Sequence, residues 1–147
     1  MTAQPSPATV LAFDFGTRRI GVAVGNTLTR VAQPLTTIAT GRDEERFAAI
    51  AALLGQWQPG MLVVGIPVHA DGAAHAMTAR ARRFAQQLSG RFRLPVELAD
   101  ERWTTQLAES ALAEAGAGGR KGRAVRDQVA AQIILQGWFD ERRVSDS

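Results

Sequence analysis

The chain has no cysteine and no tyrosine, only two histidines, and a single lysine, Lys121, among seventeen basic residues. Without cysteine there is no disulfide, no thiolate nucleophile, and no thiolate-bound zinc or iron–sulfur cluster. Two histidines are poor material for a histidine-rich metal centre. No apolar run approaches the roughly 18 residues of a spanning helix, and Met1 to Thr9 lacks a basic segment followed by an apolar one. No membrane partner and a cytoplasmic location are therefore expected. What is present, 147 residues with 46% apolar and 21% charged, suits one compact domain and leaves little room for a second lobe. The formal charge of +3 is mild, so its placement matters more than its size.

Residues 1–9 carry Pro5, Ser6 and Pro7 without periodicity and are expected to be a flexible leader. A single domain is expected over 10–141, with 142–147 as a flexible tail. Val10 to Phe15 is an almost continuous apolar run, and Ile20 to Val24 follows after a short turn, as in a hairpin. Val31 to Ile38 completes an antiparallel meander. The period then changes: Phe47, Ile50, Leu54 and Trp57 fall at helical spacing behind Asp43 and Glu44, and Pro59-Gly60 stops the helix. Met61 to Ile66 predicts a buried strand. Met77, Ala81, Phe84 and Leu88 predict a second helix ended by Gly90, with Arg80, Arg83 and Gln87 opposite. Val96 to Ala99 is a short strand. A third helix is expected after a Thr104 or Thr105 cap, and a fourth from about Arg123 into Asp140. With right-handed crossovers the result is an α/β fold: a mixed five-stranded sheet, three antiparallel strands then two parallel ones, flanked by helices.

Acids stand where carbon is expected. Asp14 interrupts the first strand, both faces of which look buried, and an ionised carboxylate there needs hydrogen bonds, a cation or a metal. Asp127 shares a helix face with Ala130, Ala131, Ile134 and Trp138, which turns it toward the core. Asp100 and Glu101 follow the last short strand, at the carboxyl edge where ligands of parallel sheets collect. Alternation sets Val96, Leu98 and Asp100 on one face and Glu97, Ala99 and Glu101 on the other, so one acid of the pair points at any given site. Against these carboxylates stand the plain alternatives of a turn cap for Asp14, a helix N-terminal acid for Asp127 and solvated loop acids for Asp100 and Glu101. Converging carboxylates suit Mg²⁺ or Mn²⁺, and two such ions can activate a water and stabilise the leaving oxygen of a phosphodiester.

The basic residues cluster beside these acids. Gly116 to Gly122 holds four glycines with Arg120 and Lys121, followed by Arg123 and Arg126 just before Asp127, and is expected to be a mobile phosphate-seeking loop. Arg18 and Arg19 follow Asp14 in the first hairpin, placed to meet a phosphate or to pair with an acid. His69 and His75 lack any supporting spacing and read as loop residues.

Four segments in order, Asp14-Phe15-Gly16-Thr17-Arg18-Arg19-Ile20-Gly21-Val22-Ala23, Gly65-Ile66-Pro67 with Asp71-Gly72, Asp100-Glu101-Arg102 with Thr104-Thr105, and Lys121-Gly122 with Asp127-Gln128-Val129-Ala130-Ala131, resemble the YqgF/RuvX family. The likeness runs from about residue 10 to residue 141. It implies a ribonuclease H-like fold, similar to RuvC-type Holliday junction resolvases, and members described as nucleases that mature the 5′ end of pre-16S rRNA. Carried onto this sequence, it implies catalytic, metal-binding acids at Asp14, Glu101 and Asp127, with Asp100 as understudy to Glu101. It implies two Mg²⁺ or Mn²⁺ ions, and nucleic-acid contacts by Arg18, Arg19, Arg120, Lys121 and Arg123. The expected partner is pre-16S rRNA or the assembling small ribosomal subunit, met by a monomer or weak homodimer.

Two departures limit the transfer. Resolvases of the wider superfamily carry an acid near the end of the fourth strand, where this chain has Gly65-Ile66-Pro67, and His69-Ala70 stands before Asp71-Gly72 in place of a small polar residue. A junction resolvase, which would need a symmetric dimer, and a nucleic-acid-binding factor with vestigial acids are the competing readings. An actin-like phosphotransferase, suggested by Asp14-Phe15-Gly16-Thr17, would need two lobes.

Overall fold

The apolar run beginning at Val10 becomes the centre of the sheet because it can be covered on both faces. In the computed structural model, which describes residues 8–66, 72–100 and 119–145, Val10, Leu11, Ala12 and Phe13 are fully buried. Strand β1 (Thr9–Phe15) pairs antiparallel with β2 (Ile20–Asn26), which pairs antiparallel with β3 (Ala32–Ile38). After α1 (Asp43–Trp57), β4 (Met61–Ile66) lies parallel to β1, and after α2 (Gly72–Phe92), β5 (Val96–Asp100) lies parallel to β4. The sheet order is β3-β2-β1-β4-β5, and α3 (Gly119–Ser145) closes the described chain. The expected mixed sheet of three antiparallel and two parallel strands is what forms.

Alternation along β1 divides the core in two. Leu11 and Phe13 pack with Phe47 and Ile50 of α1 and with Phe84 and Leu88 of α2. Val10 and Ala12 pack with Ala131, Ile134, Leu135, Trp138 and Phe139 of α3. Each large side chain so buried contributes on the order of 1.5–3 kcal/mol. The Pro34 position in β3 fits its place on the sheet edge, and the pairing shifts register between Val22 and Ala23 where Pro34 lacks an N–H to give.

Three helix boundaries differ from the sequence reading. Helix α2 does not stop at Gly90: it continues to Phe92, and the Arg93 N–H closes on the Ser89 carbonyl at 3.0 Å with Arg93 in the left-handed region. Packing of Phe92 against the first core cluster outweighs the roughly 1 kcal/mol that a helical glycine costs. Helix α3 starts at Gly119, so Gly119 to Gly122 are helical and not the expected loop. It also runs to Ser145, into the segment expected to be a tail. The helix expected after Thr104 or Thr105 lies outside the described residues.

Helix α3 sits unusually close to the sheet because β2 offers glycines to it. A Cβ on Gly25 would stand 2.6 and 2.9 Å from two ring carbons of Phe139 and 2.9 Å from the Val31 carbonyl oxygen. Three glutamines one helical turn apart then tie α3 to the edge strand. The Ala32 N–H donates to Gln136 Oε1 at 3.0 Å, and Gln136 Nε2 donates to the Arg30 carbonyl at 3.0 Å. Gln132 Nε2 donates to the Ala32 carbonyl at 3.1 Å, and Gln128 Nε2 to Thr37 Oγ1 at 3.3 Å. The two bonds at Ala32 occupy backbone groups of β3 that an edge strand would otherwise present to another chain. Gly25→Ala is expected to lower stability by about 1–3 kcal/mol in urea denaturation, and adding Phe139→Leu to it should recover part of the loss; additive losses would count against this packing.

Candidate active site

The register of the sheet puts a row of small residues around one carboxylate. Asp14 pairs with Gly21 of β2 on one side and Gly65 of β4 on the other, and Gly65 pairs with Ala99 of β5. Alternation puts Asp14 on the face of Val10 and Ala12, which is the α3 face, and Ala99 packs against that same cluster. Asp14 therefore stands on a platform that its row neighbours leave nearly bare. The platform lies at the carboxyl ends of the parallel strands β1, β4 and β5, where this class of sheet exposes its binding edge.

The second carboxylate is delivered by steric fit. A Cβ on Gly21 would collide with the carbonyl oxygen and carbon of Asp127 and stand 2.9 Å from the Asp127 Cβ. Only glycine permits that approach, and it lays Asp127 directly over the strand neighbour of Asp14. Asp127 faces the sheet with Ala131, Ile134 and Trp138, as the helical spacing predicts. Its Oδ2 accepts a hydrogen bond from Arg19 Nε at 2.6 Å, an ion pair with side-chain exposures of 34% for Arg19 and 16% for Asp127. Of the two hairpin arginines, then, Arg19 pairs with an acid, while Arg18 is exposed.

The remaining expected site residues are only partly placed. Asp100 ends β5 in register with Ile66, one position beyond the Asp14 row. Glu101 lies outside the described residues. The backbones of Arg120 and Lys121 belong to the first turn of α3, and Arg123 is exposed on that helix. Among the described residues no group of three or more histidines or acids gathers that could hold a metal; Asp127, paired with Arg19, lies over Gly21, the strand neighbour of Asp14. Hard oxygen donors with no sulfur and no imidazole fit Mg²⁺ or Mn²⁺, and the Arg19 cation neutralises one of the two charges.

A family model described as "RuvX: Holliday junction resolvase" matches residues 8–141. A protein of Nitrosomonas europaea named "Putative pre-16S rRNA nuclease" is 58% identical over 135 residues, covering 92% of this chain and 91% of that one. A protein of Chromobacterium violaceum with the same name is 58% identical over 132 residues, covering 89% and 96%. Among solved structures, the fold is similar to RuvC of T. thermophilus in complex with a Holliday junction substrate, with a TM-score of 0.55 at 18% identity over 92% of this chain and 96% of that one. The sheet order and this likeness identify the ribonuclease H-like fold.

One residue at this edge carries no signal in the sequence pattern. Arg46, in α1, is only 4% exposed, an unusual place for a guanidinium. Its Nη2 donates to the Gly16 carbonyl at 2.5 Å and its Nε to the Thr40 carbonyl at 2.6 Å, with the guanidinium 5.3 Å from the Phe15 ring centre. Desolvation draws its pKa below the usual arginine value, opposed by the charge of Asp43. Arg46 thus pins the turn between Asp14 and Arg19 from the side opposite α3. Arg46→Ala leaves both carbonyls without this donor and is expected to cost about 2–4 kcal/mol and to speed amide exchange in the 16–19 turn. A loss under about 1 kcal/mol with unchanged exchange would contradict that role.

Proposed function

The chain belongs to the RuvX family, and from that membership we propose that it is a metal-dependent nuclease that hydrolyses phosphodiester bonds of structured RNA, cutting at the 5′ end of pre-16S rRNA during ribosome biogenesis in the cytoplasm. The observation that carries this reading is the approach of Asp127 to Gly21, the strand neighbour of Asp14, on a glycine-bare row at the carboxyl edge of the sheet. We take Glu101 as the third carboxylate and Asp100 as its alternate, because the sequence alternation sets Glu101 with Ala99. These acids would hold two Mg²⁺ or Mn²⁺ ions, which when bound supply activation of a water nucleophile and neutralisation of the leaving oxygen. The chain's own part is orientation. Asp14 and Asp127 are fixed by a central strand and a packed helix, so little reorganisation accompanies catalysis. Arg19 holds Asp127 in place in the metal-free protein. Arg18, Arg120, Lys121 and Arg123 would draw backbone phosphates to the same edge, acting as a monomer or weak homodimer on pre-rRNA or the assembling small subunit.

End-labelled precursor rRNA and a four-way DNA junction, each incubated with Mg²⁺, Mn²⁺ or chelator, test the reading. Wild type should cut the RNA only with divalent metal, and Asp14→Asn should lose more than the roughly 10–100-fold typical of removing an outer partner of a metal ligand. Paired cuts in the junction with RNA left intact would replace the reading with junction resolution, which the family's description favours. Binding without cutting would leave a nucleic-acid-binding factor. Because Arg19 competes with a metal for Asp127, Arg19→Gln should melt lower without metal yet reach half-maximal stabilisation at a lower Mg²⁺ concentration than wild type. A higher Mg²⁺ requirement in thermal melts would contradict the competition.

A further inference from the structure

Helix α2 carries a charge pattern that the catalytic edge does not use. From Gly72 to Val96 the chain has no acidic residue, while Arg80, Arg82, Arg83, Arg91 and Arg93 all lie within it. Arg80 and Arg83, one turn apart, line a cavity of about 200 Å³ between α1 and α2, together with Arg46, Asp43, Gln87 and Phe15. Among the described residues no carboxylate pairs with Arg80 or Arg83. Three guanidinium groups against the single carboxylate of Asp43 make the lining net cationic. Arg46 spends two of its donors on the Gly16 and Thr40 carbonyls, so its plane is fixed and its charge is held at the cavity wall.

The cavity's position is as telling as its charge. Phe15 follows Asp14 directly in β1, and alternation sends the two side chains to opposite faces of the sheet. The cavity therefore lies just behind the catalytic edge, on the α1 and α2 side. Of its aromatic lining, Phe47 is 6% and Phe84 3% exposed and neither offers an open ring face, while the half-buried Phe15 ring already has the Arg46 guanidinium 5.3 Å from its centre. Paired guanidinium groups match the geometry of a phosphate instead.

We propose that this cavity is a phosphate-binding site for a polynucleotide strand, holding a nucleotide that flanks the one positioned over Asp14 and Asp127. The assignment rests on the nuclease reading for its ligand. A strand crossing the carboxyl edge meets Arg80 and Arg83 once it has passed Phe15, and their two charges set its register relative to the carboxylates.

The test is fluorescence anisotropy of a labelled single-stranded RNA of about 16 nucleotides, in chelator so that no cleavage occurs, over a salt series. Arg80→Gln/Arg83→Gln should bind about tenfold more weakly and flatten the salt slope by about 0.7 for each phosphate no longer neutralised. Arg82→Gln/Arg93→Gln, which removes two charges from exposed positions outside the cavity, should change affinity by less than about twofold. Equal losses in the two double variants would mean a diffuse charge effect and overturn the site. Thermal melts with inorganic phosphate form the second arm: stabilisation lost in Arg80→Gln/Arg83→Gln while RNA affinity is unchanged would make this a free-phosphate site and overturn the strand assignment. Melting without ligand checks that both variants fold. Loss of RNA affinity in a protein that cuts nothing with Mg²⁺ would uphold the cavity and sink the nuclease reading, and divalent-dependent cutting with unaltered affinity would do the reverse.

Discussion

The contact on which the site depends is the one between a helix backbone and a residue with no side chain. At Gly21 the main chain of α3 lies where a Cβ would be, so any other residue there would push Asp127 away from Asp14 or push the helix off the sheet. The approach is steep: an overlap of this kind with main-chain atoms cannot be relieved by a rotamer change. Gly25, four residues on and facing the same way, receives the ring of Phe139. The two glycines make a groove in β2, and the glutamines at 128, 132 and 136 fasten α3 over β3 beside it. Fold stability and active-site geometry are thus the same contact seen from two sides.

Charge at the edge is balanced by a similar economy of parts. Asp14 faces α3 and Asp127 faces the sheet from α3, both in a largely apolar neighbourhood, which would be unfavourable if nothing answered them. Arg19 answers Asp127, and it reaches there only because the turn from Gly16 to Arg19 is held in shape. Arg46 holds that turn through the Gly16 carbonyl, at the expense of burying its own guanidinium. A mobile turn would let Arg19 leave and let the two acids repel one another. The helix α1 that brings Arg46 is therefore part of the site, although it lies across the sheet from α3.

Much of this was legible in the residues. The apolar run with one carboxylate, the helical spacing of Asp127 with Ala131, Ile134 and Trp138, and the change of period after Ile38 each carry a physical signal that a sequence displays. The platform is less visible, because Gly21 and Gly65 look like ordinary strand glycines until the register shows them flanking Asp14. Gly90 and Gly119 to Gly122 mislead in the opposite direction: tertiary packing carries helices through them, overriding a preference of about 1 kcal/mol. Arg46 and the three glutamines gave no signal, since their roles are hydrogen bonds to atoms of other elements that no periodicity marks. Glu101 lies outside the described residues, and its role rests on alternation and resemblance.

In the proposed reading, strand β1 would let one thin sheet engage a strand of nucleic acid at more than one point. Its last two residues diverge: Asp14 turns to the α3 side and Phe15 to the α1 and α2 side. Asp14 and Asp127 belong to the α3 side, and the cavity arginines Arg80 and Arg83 to the other. On the α3 side Arg19 is engaged by Asp127, so phosphate charge brought to this edge by Arg18 and Arg123 would still meet carboxylates that repel it unless metal is present. On the opposite side Arg80 and Arg83 are free of carboxylate partners among the described residues and need no metal to attract phosphate. In the proposed reading the arginine face would hold a strand before metal arrives, and the acid face would act on it only afterwards. An edge built this way would separate binding from chemistry across the thickness of a single β-sheet.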